Sequence, residues 1–192
     1  TRVAALKGRC PRPLDDGGPG PTCGPRPRPG GSGGKDNDSG CPGPGEPEGR
    51  EQARWLGLRL ADRSVIAVYS SPLGRCMETA ALLAEPHGLA VVATAALREI
   101  DHGHWEGMTR TEVERGHGQE DARWELNPYT FAPAGGETGL SVTARALPAL
   151  LDIVAAHPGE SIIVVSHKAT IRLLLSSLLG FDPRFYRDNL DQ

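Results

Sequence analysis

A change in composition near residue 47 limits what this chain can fold into more than any other feature. The first 47 residues include 12 Gly and 10 Pro and no aromatic residue. A stretch so rich in chain-breaking residues cannot bury enough apolar surface to form a core. We therefore expect a Gly/Pro-rich, disordered segment over residues 1–47 and one globular domain over residues 48–192.

The charge balance narrows the choice of partners. The formal net charge is -3 and only 5% of the residues are aromatic. Nucleic acid is not expected as a partner, because nonspecific affinity for it comes from Lys and Arg neutralising phosphates. No run approaches the roughly 20 apolar residues that span a bilayer, and the N-terminus has no apolar stretch of a secretory signal. We expect a cytoplasmic protein with no membrane partner, and the sequence does not indicate its oligomeric state.

The cysteines do not predict a metal or disulfide framework. Cys10, Cys23 and Cys41 are spaced 13 and 18 residues apart, with no Cys-x-x-Cys pair and no nearby His. Cys76 falls within a helical pattern, and no base is adjacent to it in the sequence. We expect Cys76 to be a small packed side chain and not a nucleophile.

Helical patterns alternate with short apolar strands after residue 47. Strands are predicted over 64–71, 89–94 and 161–166, because these runs are rich in β-branched residues. Such continuous apolar strands are typical of a mostly parallel sheet covered by helices on both faces, so the predicted class is α/β. A helix is also predicted near residues 140–154, with Leu140, Ala144, Leu147, Leu151 and Val154 along one face.

Two predicted strand ends carry residues suited to binding an anion. In open α/β sheets ligands bind beyond the carboxyl ends of the strands. Arg75 follows the first such end in SSPLGRCMETA, and His167 follows the last in SHKATIR. A guanidinium at a helix start can face a phosphate, although a surface arginine and a hydrogen-bonded strand-end histidine are the alternatives.

A polar stretch, LREIDHGHWEG, contains a further candidate. Glu99 could serve as a general acid if burial keeps it protonated. His102 and His104 have a chelating spacing, but without a third spaced ligand a metal site is the weaker hypothesis, and a loop of solvated charges is the common alternative. The glycines of FAPAGGET, before Glu137, predict a mobile loop that either caps the next helix or contacts substrate.

These four motifs, in this order and approximate spacing, resemble the histidine phosphatase superfamily, the phosphoglycerate-mutase-like phosphatases. The resemblance covers about residues 45–192. It implies a three-layer α/β/α sandwich. It also implies phosphoryl transfer through a phosphohistidine to water or to an acceptor alcohol, with small phosphorylated molecules as substrates.

The resemblance also assigns roles by motif position. Arg75 resembles the arginine that binds the phosphoryl group, Glu99 the acid that protonates the leaving oxygen, and His167 the second histidine beside the phosphoryl group. The family chemistry requires no metal and no cofactor.

The family's nucleophile lies in an Arg-His-Gly motif after the first strand, and that motif does not occur in this sequence. TRVAAL still resembles the family's first strand, and the sequence resumes the family pattern near Gly45. We hypothesise that residues 7 to about 44 are a frame-shifted remnant and that the C-terminus is truncated. The expected function is therefore an impaired phosphatase, with a mutase-type phosphotransferase and a non-catalytic phosphate- or partner-binding protein as the alternatives.

Overall fold

The computed structural model of the protein describes residues 2–6 and 47–187. Within these ranges one parallel sheet contains four strands, which are, in spatial order, β1 (Arg2–Leu6), β4 (Ser161–Val165), β2 (Val65–Ser70) and β3 (Val91–Ala93). The predicted strands of the globular part and the strand expected in TRVAAL are confirmed. Within the segment expected to be disordered, residues 2–6 form β1 and Pro47 begins the first helix. Residues 7–46, which include Cys10, Cys23, Cys41 and the proposed frame-shifted remnant, lie outside the described residues.

The strand register brings three strand ends to one edge of the sheet. Val165 at the end of β4 pairs with Leu6 of β1 on one side and with Ser70 of β2 on the other. Because all pairings are parallel, the chain leaves these strands at a common edge. The segments that follow β2 and β4 therefore start close together.

Six α-helices are described. They are α1 (Pro47–Leu60), α2 (Gly74–Ala84), α3 (Arg110–Gly116), α4 (Gly118–Leu126), α5 (Gly139–Ala156) and α6 (Lys168–Leu179).

The two faces of the sheet have separate apolar clusters. Ile163 and Val165 of β4 pack with α2, and Leu56 and Leu60 of α1 extend that cluster. Ile162 and Val164 face the opposite side, where they pack with buried residues of α5 and α6. Because side chains alternate across a strand, β4 contributes to both clusters. The predicted three-layer α/β/α arrangement is confirmed.

The face predicted for α5 is buried only in part, since Leu147 and Val154 pack against the core but other members of the face do not. Leu140 and Leu151 are 53% and 50% exposed. The face that is buried against the sheet consists of Val142, Ala146, Leu150 and Ile153. Apolar residues surround α5, so spacing alone fits more than one stripe, and the strands it covers determine which one is buried.

By length and composition α5 is also the one described helix that could cross a membrane. Its inner face packs in the core of the domain, together with Ile162, Val164 and Leu174. Long core helices of soluble proteins commonly have this composition.

Candidate active site

Arg75 and His167 meet at the edge where β2 and β4 end. Arg75 lies in the first turn of α2, and His167 is the N-cap residue of α6. Arg75 Nη2 and Nε lie 3.0 and 3.3 Å from His167 Nδ1. The structure thus brings together two residues that are 92 positions apart in the sequence.

The surroundings of His167 fix its charge and tautomer. Burial, and then the positive charges of Arg75 and Arg145, lower the pKa of His167 to about 4, so the ring is neutral at neutral pH. Since Arg75 can only donate, Nδ1 accepts its hydrogen bond. Nε2 then carries the proton and donates to Ser71 Oγ, 2.7 Å away.

Cys76 is part of the same pocket, which the sequence did not indicate. Its Sγ lies 3.4 Å from His167 Nε2 and 3.6 Å from the Ser166 carbonyl oxygen. Burial is the main cause that raises the pKa of this thiol to about 11. Cys76 therefore stays a protonated, 6% exposed packing residue even though a base lies next to it in space.

The start of α2 lacks a side-chain cap. Leu73 occupies the N-cap position without a capping hydrogen bond, and the first turn contains no acidic residue. The first turn of a helix presents backbone N–H groups and a positive dipole end. Together with the exposed Arg75, this helix start has the positive charge and the free donors that an anion requires.

The start of α6, in contrast to that of α2, is capped by the carboxylate of Glu99. Its Oε2 accepts from the Ala169 amide at 3.3 Å, and its Oε1 accepts from the Thr170 amide at 3.2 Å. Oε1 also accepts from the amide of Ile100, the residue that follows it, at 3.0 Å. These contacts hold Glu99 against the first turn of α6, which follows His167, and they engage both of its oxygens. To deliver a proton to a leaving oxygen, the carboxyl group has to turn away from α6.

Arg145 of α5 holds the segment that contains Glu99. Its guanidinium forms a two-pronged ion pair with Glu137, at 2.7 and 2.8 Å. It also donates to the carbonyl oxygens of Ala96, Arg98 and Glu99 at 2.7, 3.0 and 3.1 Å. The hydrogen bonds from Arg145 lower the pKa of Glu137. We did not predict this role from the sequence, because the three carbonyl groups lie 46 to 49 residues away from Arg145.

The glycine-rich loop before Glu137 packs tightly on the loop that follows Glu99. His104 donates its backbone N–H to the Ala134 carbonyl oxygen, and Glu137 donates its backbone N–H to that of Asp101. A Cβ on Gly103 would lie only 2.3 Å from the Ala134 oxygen, so the two backbones are too close for a side chain there. The loop expected to be mobile is thus bound to its neighbour, and Thr138 at its end caps α5.

His102 and His104 do not face a common point. The His102 ring packs edge-on against Trp124 at 5.6 Å. The His104 ring lies 4.6 Å from that of His117. Within the described residues, the group of three ligating side chains that includes His104 contains His117 and Glu120 and not His102.

Comparison with known proteins identifies relatives of this chain. Residues 46–191 match the model of the histidine phosphatase superfamily, branch 1. Phosphoserine phosphatase 1 of Hydrogenobacter thermophilus is 35% identical over 134 residues, covering 70% of this chain and 64% of the relative. Glucosyl-3-phosphoglycerate phosphatase of Mycolicibacterium vanbaalenii is 35% identical over 145 residues, covering 69% and 61%. This chain therefore spans less than two thirds of the length of either relative.

The fold also matches solved structures. YhfR of Bacillus stearothermophilus superimposes with a TM-score of 0.71 at 30% identity, covering 76% of this chain and 72% of that structure.

Proposed function

Because this chain belongs to the histidine phosphatase superfamily, we propose that it binds small phosphomonoesters between Arg75, His167 and the start of α2. The observation that carries this proposal is the contact between the Arg75 guanidinium and the unprotonated Nδ1 of His167, at 3.0 Å. It places a fixed positive charge and a proton acceptor at the edge of a parallel sheet, where ligands of such folds bind.

The pocket has the electrostatics that a phosphoryl group needs. Arg75 is exposed and can turn its N–H groups from the imidazole to phosphate oxygens, with which a guanidinium forms paired hydrogen bonds. The uncapped first turn of α2 adds backbone donors from the same side. A bound dianion also favours the protonated form of His167, which then donates a second charged hydrogen bond.

The chemical step is where this chain departs from the family pattern. The resemblance implies that a histidine attacks phosphorus, releases the alcohol and forms a phosphohistidine, which water then hydrolyses to phosphate. The Arg-His-Gly motif that would supply this nucleophile does not occur in the sequence. We therefore assign to the chain as written phosphoester binding with strongly impaired hydrolysis.

The substrate class follows from the names of the relatives. Phosphoserine and glucosyl-3-phosphoglycerate each combine a phosphomonoester with a carboxylate. We extend this class to the present chain, so the ligands to examine are phosphorylated hydroxy and amino acids together with inorganic phosphate.

Two measurements on the full chain test the proposal. Calorimetric titration with inorganic phosphate and with phosphoserine should give saturable binding. Hydrolysis of an aryl phosphate should not exceed the rate of the His167→Ala variant, which reports any contaminating phosphatase. Absence of binding by the folded protein would refute the proposal. Turnover that His167→Ala abolishes would leave the binding site in place and refute the impairment.

A further inference from the structure

Three side chains with metal-ligating atoms converge outside the phosphate pocket. His104 lies in the loop after Glu99, His117 joins α3 to α4, and Glu120 lies in the first turn of α4. One ligating atom from each lies within 4.8 Å of the others. The three side chains are 31%, 31% and 38% exposed, so an ion can reach them from solvent.

One carboxylate oxygen of Glu120 faces both imidazole rings of this cluster. Glu120 Oε2 lies 3.0 Å from His104 Nε2 and 3.8 Å from His117 Nδ1. The atom is buried and has no hydrogen-bond partner. A buried, anionic oxygen without a donor is costly, and a bound ion is one of the arrangements that satisfies it.

The second nitrogen of His104 indicates which atom is available to an ion. His104 Nδ1 lies 3.1 Å from the carbonyl oxygen of Ala134. Since a carbonyl oxygen can only accept, Nδ1 carries a proton, and in the neutral ring Nε2 presents its lone pair to Glu120. A hydrogen bond from the far ring nitrogen to a backbone carbonyl is the usual support of a metal-bound histidine.

We propose that His104, His117 and Glu120 bind one divalent transition-metal ion, with Zn²⁺ as the best match. Two imidazole nitrogens and one carboxylate oxygen form a recurrent zinc ligand set that leaves a fourth position for water. Ligand atoms around tetrahedral zinc are about 3.3 Å apart, since each bond is about 2.0 Å. The separations of 3.0 and 3.8 Å bracket that value.

This ion links segments that are distant in the sequence. It connects the loop after Glu99 to the junction of α3 and α4, and through Ala134 to the loop before Glu137. Its effect is on stability, because phosphoryl transfer in this family requires no metal. Mg²⁺ and Ca²⁺ should bind poorly, since both prefer shells made of oxygen atoms.

The test uses the full chain, without a histidine tag and stripped of metal by a chelator. Equilibrium dialysis followed by metal analysis should give one Zn²⁺ per chain. The unfolding temperature should rise as the Zn²⁺ concentration increases, because the ion binds the folded state. Both effects should be lost in His117→Gln and in the nearly isosteric Glu120→Gln. His102→Gln, two residues from His104 but outside the cluster, is the matched control and should keep both.

Cobalt substitution separates this site from the cysteines. Co²⁺ bound by nitrogen and oxygen gives visible bands without the near-ultraviolet charge transfer of a thiolate. The proposal is overturned if no Zn²⁺ binds, if a thiolate band appears, or if the two ligand variants bind Zn²⁺ as the parent does. It is also overturned if His102→Gln alone abolishes binding.

Discussion

The starts of α2 and α6 lie at the same edge of the sheet, and their backbone N–H groups are satisfied in opposite ways. At α6 the carboxylate of Glu99 accepts from the amides of Ala169 and Thr170. At α2 no side chain caps the helix, and its first turn carries the cation Arg75 and no acidic residue. The α6 start already holds an anion from the protein itself, whereas the α2 start combines a helix dipole and a guanidinium that both favour an anion from outside.

We call the start of α6, which Glu99 caps, the fixed side of the site, and the uncapped start of α2 the receptive side. His167 belongs to both, as the N-cap residue of α6 and as the acceptor for Arg75 of α2. Arg145 fixes the α6 side by holding the carbonyl oxygen of Glu99. Substitutions on the α6 side should therefore affect mainly stability, and substitutions on the α2 side mainly ligand affinity.

The largest effect is expected from Arg145→Ala, which should lower the stability of the α6 side of the site. This substitution removes the Arg145 donors from Glu137 and from the carbonyl oxygens of Ala96 and Glu99. The Arg98 carbonyl oxygen, which also loses Arg145, keeps the hydroxyl of Thr170 as a donor. Breaking an ion pair of which less than a third is exposed should lower the free energy of unfolding by about 3 kcal/mol. Urea denaturation measures this change. Arg145→Lys keeps the positive charge but not the paired N–H donors of the guanidinium, so its free energy of unfolding should fall by less. An equal fall in both variants would show that the paired donors do not contribute.

The next effect is on the receptive side. Arg75→Ala should weaken inorganic phosphate binding roughly 10- to 100-fold, because each hydrogen bond to a charged group contributes about 1.5–3 kcal/mol. Calorimetry measures the affinity. Arg54→Ala, a surface change on α1, is the control. Unchanged phosphate affinity in Arg75→Ala would end the distinction between the two helix starts.

The third effect is on the pH dependence of stability. The pKa of His167 is 6.5 in the unfolded chain and about 4 when folded. Below about pH 6.5 the unfolded state therefore binds a proton that the folded state does not, and stability falls as the pH falls. From about pH 8 to about pH 5 the loss should be about 2 kcal/mol at most.

Comparison with His167→Gln isolates this contribution, since glutamine does not titrate. Sulfate, which does not titrate in this range, should reduce the loss if it binds at α2 and stabilises the charged ring. An identical pH profile in the variant would contradict the assignment of a neutral, buried His167.

The smallest effect is expected from the cap itself. Glu99→Ala should lower the free energy of unfolding by about 1 kcal/mol, as is typical for a lost N-cap acceptor. Because the change removes a negative charge beside the pocket, sulfate affinity should not fall. Thermal unfolding and calorimetry give the two values, and a large loss of sulfate affinity would show that Glu99 contributes to the receptive side.

The strands and the positions of Arg75 and His167 could be predicted from the sequence, because the patterns that indicate them lie within short stretches of chain. The apolar runs predicted the strands, because the β-branched residues of each strand are contiguous in the sequence. The parallel arrangement then brought the strand ends bearing Arg75 and His167 together.

The remainder depends on contacts between distant residues. Glu99 caps a helix that begins about 70 residues later, and nothing in LREIDHGHWEG specifies that partner. The base beside Cys76 is 91 residues away. The buried stripe of α5 depends on the surface it covers, so periodicity in an apolar helix could not select it.

The contact between the two loops beside the site also limits how this protein can diverge. A Cβ on Gly136 would lie 2.8 Å from the Asp101 carbonyl oxygen, and one on Gly103 even closer to the Ala134 oxygen. Neither loop can acquire a side chain at these points unless the other retreats, and the Arg145–Glu137 pair opposes that retreat. A lineage that acquires a new substrate therefore has to vary the positions around the two glycines and preserve the glycines themselves. A directed-evolution library that follows the same restriction should contain a larger share of folded variants.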